Sequence, residues 1–346
     1  MKAALIREIE GVKKIRIEEA PLPELPGERH VKVNIGAVGI CGSDLHGFYD
    51  LSSTARIPGL IMGHEAAGVV TEVGAAVTRV KVGDRVAIDP QVICGTCAQC
   101  QKGYYSVCDN KKIIGSNLKG FMNGCMAEFA VVTEKQCFLL PDNLSLEEGA
   151  MVEPVSNAIH VLNRVKVNMG DTIVVIGAGT LGLCILQAAK LTGAGRVIVI
   201  DLSEKKLALA KTLGADIVIQ AGEDPVARIL SLTDGLGADI VIEAVGIGAT
   251  YKQAISLVRK RGSIMFFGAT HKEVSLELIP ILHKELHLIG CTGAETECPT
   301  AIDFIASGKI NVKPLITHRF ALDDTQEAFE TMADPGNNAV KVMLIP

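Results

Sequence analysis

The chain has 346 residues, enough for two domains with cores of their own. Apolar residues make up 48% and aromatics only 4%, with no tryptophan and 35 glycines, a mixture that suits parallel α/β sheets better than a β-sandwich. A net charge of −5 without a basic stripe argues against nucleic acid as a partner, and no apolar run of 18 residues is present to span a membrane.

The opening "MKAALIREIEGVKKIRIEE" carries charges every few residues and reads as a pair of strands, not as a leader peptide. A cytoplasmic protein is expected, and its thiols would be reduced. Up to about residue 150 short strand candidates such as "HVKVNIGAVGI" and "AAGVVTEVG" alternate with Gly, Pro and Asp. Two pieces of this region hold candidate metal ligands. "GICGSDLHG" supplies Cys41 and His46, and "MGHEAAG" supplies His64 and Glu65. A catalytic zinc takes about three protein ligands and keeps one place open, which Cys41, His64 and a carboxylate would satisfy. Neighbouring residues of an extended strand point to opposite sides, so His64 and Glu65 converge only if the backbone is irregular, which Gly63 permits. A packed histidine beside a surface glutamate is the competing reading of the pair.

"CGTCAQCQKGYYSVC" follows, with Cys94, Cys97, Cys100 and Cys108 in C-x2-C-x2-C-x7-C spacing. Four thiolates close a tetrahedral shell and leave no place for substrate, so this loop is expected to be a structural zinc knot. The remaining thiols, among them Cys125, Cys137 and Cys184, have no ligand spacing and read as small apolar side chains.

After about Met151 strands and helices alternate. "DTIVVIGAG" is a strand, "TLGLCILQAAKLTG" a helix, "GRVIVIDL" a strand, and "SEKKLALAKTLG" a helix with Ser203 as its N-cap. "ADIVIQA", "GADIVIEAVG", "GSIMFFGA" and "LHLIGCTG" continue the series, which implies a doubly wound parallel sheet. Gly177-x-Gly179-x-x-Gly182 lies where a strand passes into a helix. Its glycines serve the tight turn, the approach of a pyrophosphate, and close helix–strand packing. Asp201 ends the next strand, 24 residues after Gly177, where a carboxylate accepts both ribose hydroxyls and repels a 2′-phosphate. NAD is therefore the expected cofactor. Lys206 either stacks beside the adenosine or is a solvated helix lysine, and Leu181 and Gly268 complete the candidate cofactor contacts. "NVKPLITHRFAL" and "NAVKVMLIP" read as strands around a helix near Asp324–Met332, a tail expected to pack back on the first domain.

Taken together, "GICGSDLH", "GHEAAGVVTEVG", "VGDRVA", the four-cysteine lobe, "EPVSNAIH", "GAGTLG" and "NVKPLITHRF" give a sequence that resembles the zinc-dependent medium-chain alcohol dehydrogenases over essentially its whole length. The likeness is strongest to the polyol branch, then to threonine and butanediol dehydrogenases. It implies a GroES-like catalytic domain over 1–152, a Rossmann domain over 153–295 and a returning segment over 296–346. It implies a catalytic zinc at Cys41, His64 and Glu65, with Glu153 as a second acid, and a proton relay through Ser43 and His46. From the residues alone Glu153 reads as a helix-start carboxylate before Pro154. Asp44, between the relay residues, reads as a brace of the loop. Two zinc ions per chain, a small alcohol substrate and a homo-oligomer, dimer or tetramer, are what the resemblance adds.

The expected reaction is hydride transfer from a secondary alcohol of a polyol, sugar alcohol or sugar-alcohol phosphate to NAD, giving a ketone. L-threonine 3-dehydrogenase or a 2,3-butanediol-type dehydrogenase is the alternative within the class. A non-catalytic zinc- and nucleotide-binding protein would require a broken metal set, and Cys41, His64, Glu65 and Glu153 are all in place. Sorbitol enzymes carry an aromatic directly after the relay histidine, where this chain has Gly47, and an Arg and Tyr where it has Gly293 and Ala294. Glu295 and Glu297 are candidates to replace those hydroxyl contacts.

Overall fold

The structure is a computed structural model that describes residues 1–51, 56–270 and 272–346. The chain divides into two compact units. One comprises Met1–Glu153, Ala294–Gly308 and Ile316–Pro346, and the other Pro154–Gly293 and Lys309–Leu315.

The first unit opens with β1 (Lys2–Ile9) and β2 (Val12–Glu19), an antiparallel pair turning at Glu10–Gly11, both in the left-handed region. β3 (His30–Ile40) is the longest strand, and its apolar run makes it the spine of the unit. It leads into α1 (Gly42–Phe48) and, after a loop, into β4 (Glu65–Val73) and β5 (Arg85–Ile88). A small lobe follows, made of β6 (Gln91–Val92), α2 (Ala98–Gln101) and β7 (Lys112–Ile113). β8 (Phe129–Thr133), β9 (Cys137–Leu139) and α3 (Leu146–Ala150) complete the run before α4 (Val152–Asn163). Ser145 caps α3 by accepting from the Glu148 amide at 3.2 Å, while the Glu148 carboxylate accepts from the Ser145 amide at 2.9 Å.

The second unit alternates strictly. β10 (Thr172–Ile176), α5 (Thr180–Lys190), β11 (Arg196–Asp201), α6 (Glu204–Thr212), β12 (Ile217–Gln220), α7 (Pro225–Leu232), β13 (Ala238–Glu243), α8 (Gly248–Leu257), β14 (Val258–Phe266), α9 (Leu278–His283) and β15 (His287–Gly290) form it. The strands are parallel in the order β12-β11-β10-β13-β14-β15. Helices follow nearly every strand, so the central strands are covered on both faces. This is why Ile173–Ile176 and Val197–Ile200 are unbroken apolar runs without polar alternation. The order reverses beside β10, which makes its carboxyl end the crevice where such sheets bind ligands.

The chain then returns. α10 (Cys298–Ala306), β16 (Ile316–Ala321), α11 (Thr325–Ala333) and β17 (Lys341–Ile345) belong mostly to the first unit. β17 pairs antiparallel with the end of β3, through Val342 opposite Ile40, and parallel with β16. The resulting sheet runs β16-β17-β3-β4-β5-β9, with β8 on the early half of β3. Phe329 of α11 is fully buried, its ring 5.4 Å from that of Phe48, so the last helix braces α1. The sequence reading of the tail as strand, helix, strand corresponds to β16, α11 and β17.

Candidate active site

Cys41 is the residue at which β3 stops and α1 starts. Its backbone is extended and its amide donates to Asp44 Oδ2 at 3.3 Å. That places Cys41 at a rigid corner, with α1 presenting Ser43 and His46 at exposed positions one turn apart. His64 and Glu65 approach from the next connection. Gly63 sits at φ +91°, and a Cβ there would press to 2.7 Å from Met126 and 2.9 Å from Val38. The left-handed turn lets His64 leave the strand direction just before Glu65 begins β4, so both side chains face Cys41. One ligand atom from each of Cys41, His64 and Glu65 lies within 4.8 Å of the others. His64 and Glu65 are buried, at 6% and 2% exposure. Glu153, at the start of α4, is not one of the three, but it stands near enough to act on the charge of Lys341 beside them.

Charged side chains of both signs surround the cluster. Asp44 is fully buried, with its Oδ1 3.3 Å from His64 Nδ1 and 3.2 Å from Arg56 Nη2. Burial pushes the Asp44 carboxyl up, but His64 and then Arg56 outweigh it and hold it down to about 2. Burial likewise disfavours a charged His64, yet Asp44 and Cys41 raise its pKa well above the ordinary imidazole value. His64 Nδ1 makes no aligned hydrogen bond although it is out of solvent. A half-buried thiol, a buried imidazole and a buried carboxylate that converge in this way are a donor set suited to a divalent zinc-like cation. Asp44 is then the acid behind the imidazole, the arrangement that orients metal-binding histidines. It also braces the loop by accepting from the Cys41 amide.

Lys341 was invisible to sequence reasoning. It opens β17, is 1% exposed, and its ammonium pairs with Glu65 while donating to the Ile40 carbonyl at 2.9 Å. The one available signal was a lysine leading an otherwise apolar strand.

The second cluster is the cysteine lobe. Cys94, Cys97, Cys100 and Cys108 also offer ligand atoms within 4.8 Å of one another. Backbone amides feed the sulfurs. The Cys97 amide donates to Cys94 Sγ at 3.4 Å, the Cys100 amide to Cys97 Sγ at 3.5 Å, and the Cys94 amide to Cys108 Sγ at 3.4 Å. Amides of Thr96 and Cys97 pull the Cys94 thiol down to about 5. Burial and the neighbouring sulfurs push the Cys100 thiol the other way, up to about 12, and four sulfurs placed this closely fit a closed metal shell. Ser106, at the lobe's far side, donates to Glu295 Oε1 at 2.9 Å. Glu297 accepts from the amides of Glu295 and Thr296 at 2.6 and 2.8 Å. Glu295 thus holds a bond to the cysteine lobe, and Glu297 holds the backbone that leads into α10.

At the carboxyl end of β10 the glycine turn has the geometry the motif requires. Gly177 has φ +103°, and a Cβ on Gly182 would lie 1.9 Å from the Gly177 carbonyl. Gly179 is the N-cap of α5 and has open space where its Cβ would be. Leu181 is half-buried in the first turn of α5. Asp201 closes β11, its two carboxylate oxygens accepting from the Ala178 amide at 2.6 Å and the Ser203 amide at 2.8 Å. Lys206 is half-buried in the first turn of α6. Gly268 lies just beyond β14, where a Cβ would fall 2.3 Å from the Gly246 amide. The motif aspartate is thereby docked onto the glycine turn itself. Gly47, where sorbitol enzymes carry an aromatic, is buried in α1, and the two aromatics that follow it divide, Phe48 being buried and Tyr49 exposed.

One unit thus carries a thiol–imidazole–carboxylate cluster and the other a glycine turn of dinucleotide-binding form. The profile of a family described as "Alcohol dehydrogenase GroES-like domain" matches residues 27–142, and that of "Zinc-binding dehydrogenase" matches residues 180–307. An L-idonate 5-dehydrogenase of Vitis vinifera is 40% identical, with 96% of this chain and 92% of that protein covered. A sorbitol dehydrogenase of Bacillus subtilis strain 168 is 35% identical over 100% of this chain and 97% of its own. The crystal structure of galactitol-1-phosphate dehydrogenase from Escherichia coli superposes with a TM-score of 0.90 at 31% identity, covering 100% of both chains. The chain belongs to the zinc-dependent medium-chain alcohol dehydrogenases, in their polyol dehydrogenase-like branch, and is an oxidoreductase. Among the described residues, no helix is long and apolar enough to cross a membrane.

Proposed function

We propose that the protein oxidises a secondary hydroxyl that has a second hydroxyl on the neighbouring carbon, in a polyol, an aldonic acid or a phosphate of either, with NAD as hydride acceptor. The observation that carries this reading is the convergence of Cys41, His64 and Glu65 in one buried cluster beside the exposed Ser43 and His46. Cys41, His64 and Glu65 would hold a zinc ion that supplies the Lewis acidity by which an alcohol hydroxyl is made acidic. Glu153, close to that cluster, is the second acid. Ser43 takes the hydroxyl proton, and His46, one turn further along α1, delivers it to solvent. Asp44 holds the His64 ring in place from behind. Cys94, Cys97, Cys100 and Cys108 hold a second, structural zinc.

On the cofactor side, Gly177, Gly179, Leu181 and Gly182 form the bed for the pyrophosphate at the start of α5, and Gly268 borders the crevice near β14. Asp201 receives the adenosine ribose and disfavours a 2′-phosphate, with Lys206 beside it. The relatives named above act on idonate, sorbitol and a galactitol phosphate, all rich in vicinal hydroxyls, and this supports a substrate of that class. A second hydroxyl near Glu153 fixes which carbon faces the nicotinamide.

The test is a side-by-side assay of NADH formation by zinc-replete enzyme. The panel holds C4–C6 polyols, L-idonate, hexitol phosphates, 2,3-butanediol and L-threonine. A polyol, aldonate or phosphate is expected to give the highest kcat/KM. L-threonine ahead by more than about tenfold, a 1.4 kcal/mol preference in transition-state binding, would overturn the substrate class.

A further inference from the structure

The last residue of β13 is a buried glutamate with one carboxylate oxygen unpartnered. Glu243 Oε1 accepts from the Val245 amide at 3.0 Å, the Gly246 amide at 2.8 Å and the Thr250 hydroxyl at 2.7 Å, all neutral donors. Its Oε2, equally out of solvent, has no hydrogen-bond partner among the described residues. The residue stands where the strand order reverses. It lies opposite Ile176 at the end of β10, and the Ala244 amide donates to the Ile176 carbonyl at 3.0 Å. Val245 packs on the glycine turn, where a Cβ on Gly177 would fall 2.8 Å from Val245 Cγ2. The Glu243 carbonyl accepts from the amides of Phe267 and Gly268 at 3.0 and 2.9 Å, and a Cβ on Gly268 would lie 2.5 Å from Oε2. Tyr251 donates to the Gly268 carbonyl, its phenol pushed up by burial and then by the charge of Glu243. The bare oxygen is therefore held against the turns that follow β13 and β14, close to the backbone of Gly268.

A buried carboxylate that has only neutral partners costs stability. Its place in the crevice gives it a chemical use. Asp201 is on β11, to one side of β10, while β13 and β14 are on the other. A dinucleotide laid across the end of β10 with its adenosine at Asp201 carries its nicotinamide half over β13 and β14. The oxidised nicotinamide ring bears a positive charge, which it loses on accepting a hydride, a proton with two electrons. We propose that Glu243 discriminates between the two forms of the cofactor, its carboxylate favouring the cationic oxidised ring over the neutral reduced one. This role rests on the reading that the glycine turn binds a nicotinamide dinucleotide. It gives the enzyme a direction, because the oxidised form is held and the reduced form is let go, as alcohol oxidation needs.

The test measures binding without turnover. Dissociation constants are read by calorimetric titration of the full chain, with no alcohol present, for NAD, NADH and ADP-ribose, which carries no nicotinamide. NADP and NADPH serve as a second pair. Glu243→Gln keeps an acceptor for the three donors and removes the charge. It is expected to raise the Kd of the oxidised form on the order of tenfold relative to that of the reduced form, the size of one opposite-charge interaction inside a protein. Its affinity for ADP-ribose is expected to stay at the wild-type value. Glu243→Asp, which keeps the charge, is expected to keep the wild-type ratio. Thermal midpoints identify folded variants; if Glu243→Gln does not fold, Glu243→Asp and Glu243→Asn, which differ in charge at equal length, carry the same expectation between them. A folded neutral variant in which the oxidised and reduced constants move by the same factor, or not at all, would overturn the role and leave Glu243 a brace of the turns. Wild type that binds no member of either pair would instead overturn the cofactor reading, and this role with it.

Discussion

At the scale of single residues, charge placement decides most of the chemistry. His46 stands exposed on the helix that Cys41 starts, with Ser43 one turn nearer the cluster. If the pair carries the proton out, His46→Ala should lower kcat about 10- to 100-fold, the lower range of general-base effects because water can substitute. An unchanged kcat across the pH profile would remove His46 from the relay. Asp201 spends both oxygens on backbone amides of the glycine turn and of α6, which fixes the carboxylate at the end of β11. Asp201→Asn should weaken the preference for NAD over NADP by about 1–3 kcal/mol, the value of a hydrogen bond to a charged group. Wild-type enzyme with equal kcat/KM for the two cofactors would contradict the assignment.

The residues also show what a sequence can disclose. Cys41, His64 and Glu65 stand out as metal-ligating types, and their convergence was conditional on an irregular backbone at Gly63. The left-handed φ of that glycine supplies it. Lys341 carries no such mark. Its partner Glu65 is 276 positions away, and a contact of that separation is made by strand order in the folded sheet and by no local pattern. The bonds of Glu295 and Glu297 to Ser106 and to backbone amides are likewise long-range or dependent on loop geometry, and no local pattern marks them.

At the scale of elements, legibility followed burial. Strands of the parallel sheet are covered on both faces and announce themselves as Val/Ile runs, and the helices between them are marked by caps such as Ser203, whose Oγ accepts from the Lys206 amide at 3.3 Å. The short pieces of the cysteine lobe have no apolar period to read, and their two-residue strands β6 and β7 are set by the cluster and the turns around it. That dependence predicts a stability phenotype. Cys100→Ser removes one of four sulfurs and should lower the thermal midpoint by roughly 5 °C, the shift expected from a loss of about 2 kcal/mol in a unit of this size. A midpoint unchanged in metal-replete protein would show that the lobe does not contribute.

One connection contributes to acid stability in the same way. Glu134, following β8, accepts from the Thr78 amide at 2.9 Å, the Arg79 amide at 3.2 Å and Arg29 Nη1 at 2.5 Å. The Thr78 amide and Arg29 hold its carboxyl down to about 2. An unfolded glutamate titrates near ~4.3. Its folded pKa is depressed, so its stabilisation is complete above that value and is lost as pH falls towards about 2. The difference in urea midpoint between wild type and Glu134→Gln should therefore be largest above about pH 5 and shrink steadily as the pH approaches 2. A difference independent of pH would assign the effect to packing.

At the scale of the whole molecule, two sheets of opposite habit divide the labour. The antiparallel sheet of the first unit places Cys41, Glu65 and Lys341 at neighbouring strand ends, and the parallel sheet of the second opens a crevice at Gly177. The texture of the sequence changes near Met151, and the units part at Glu153 and Pro154, while Lys309–Leu315 of the tail falls in the second unit. The return of the tail was legible as strand, helix and strand, while the use made of β17, to bring a lysine to Glu65, was not. The proposed chemistry needs two metal clusters of different kind, one open and mixed, the other closed and all-sulfur.

Zinc content measured against activity tests that requirement most directly. Elemental analysis of fully active, metal-replete wild type should find two zinc ions per chain, and Cys41→Ser should keep one zinc, keep its fold and form no NADH from any alcohol. At most one zinc in fully active wild type, or a Cys41→Ser variant that turns over at the wild-type rate, would contradict it.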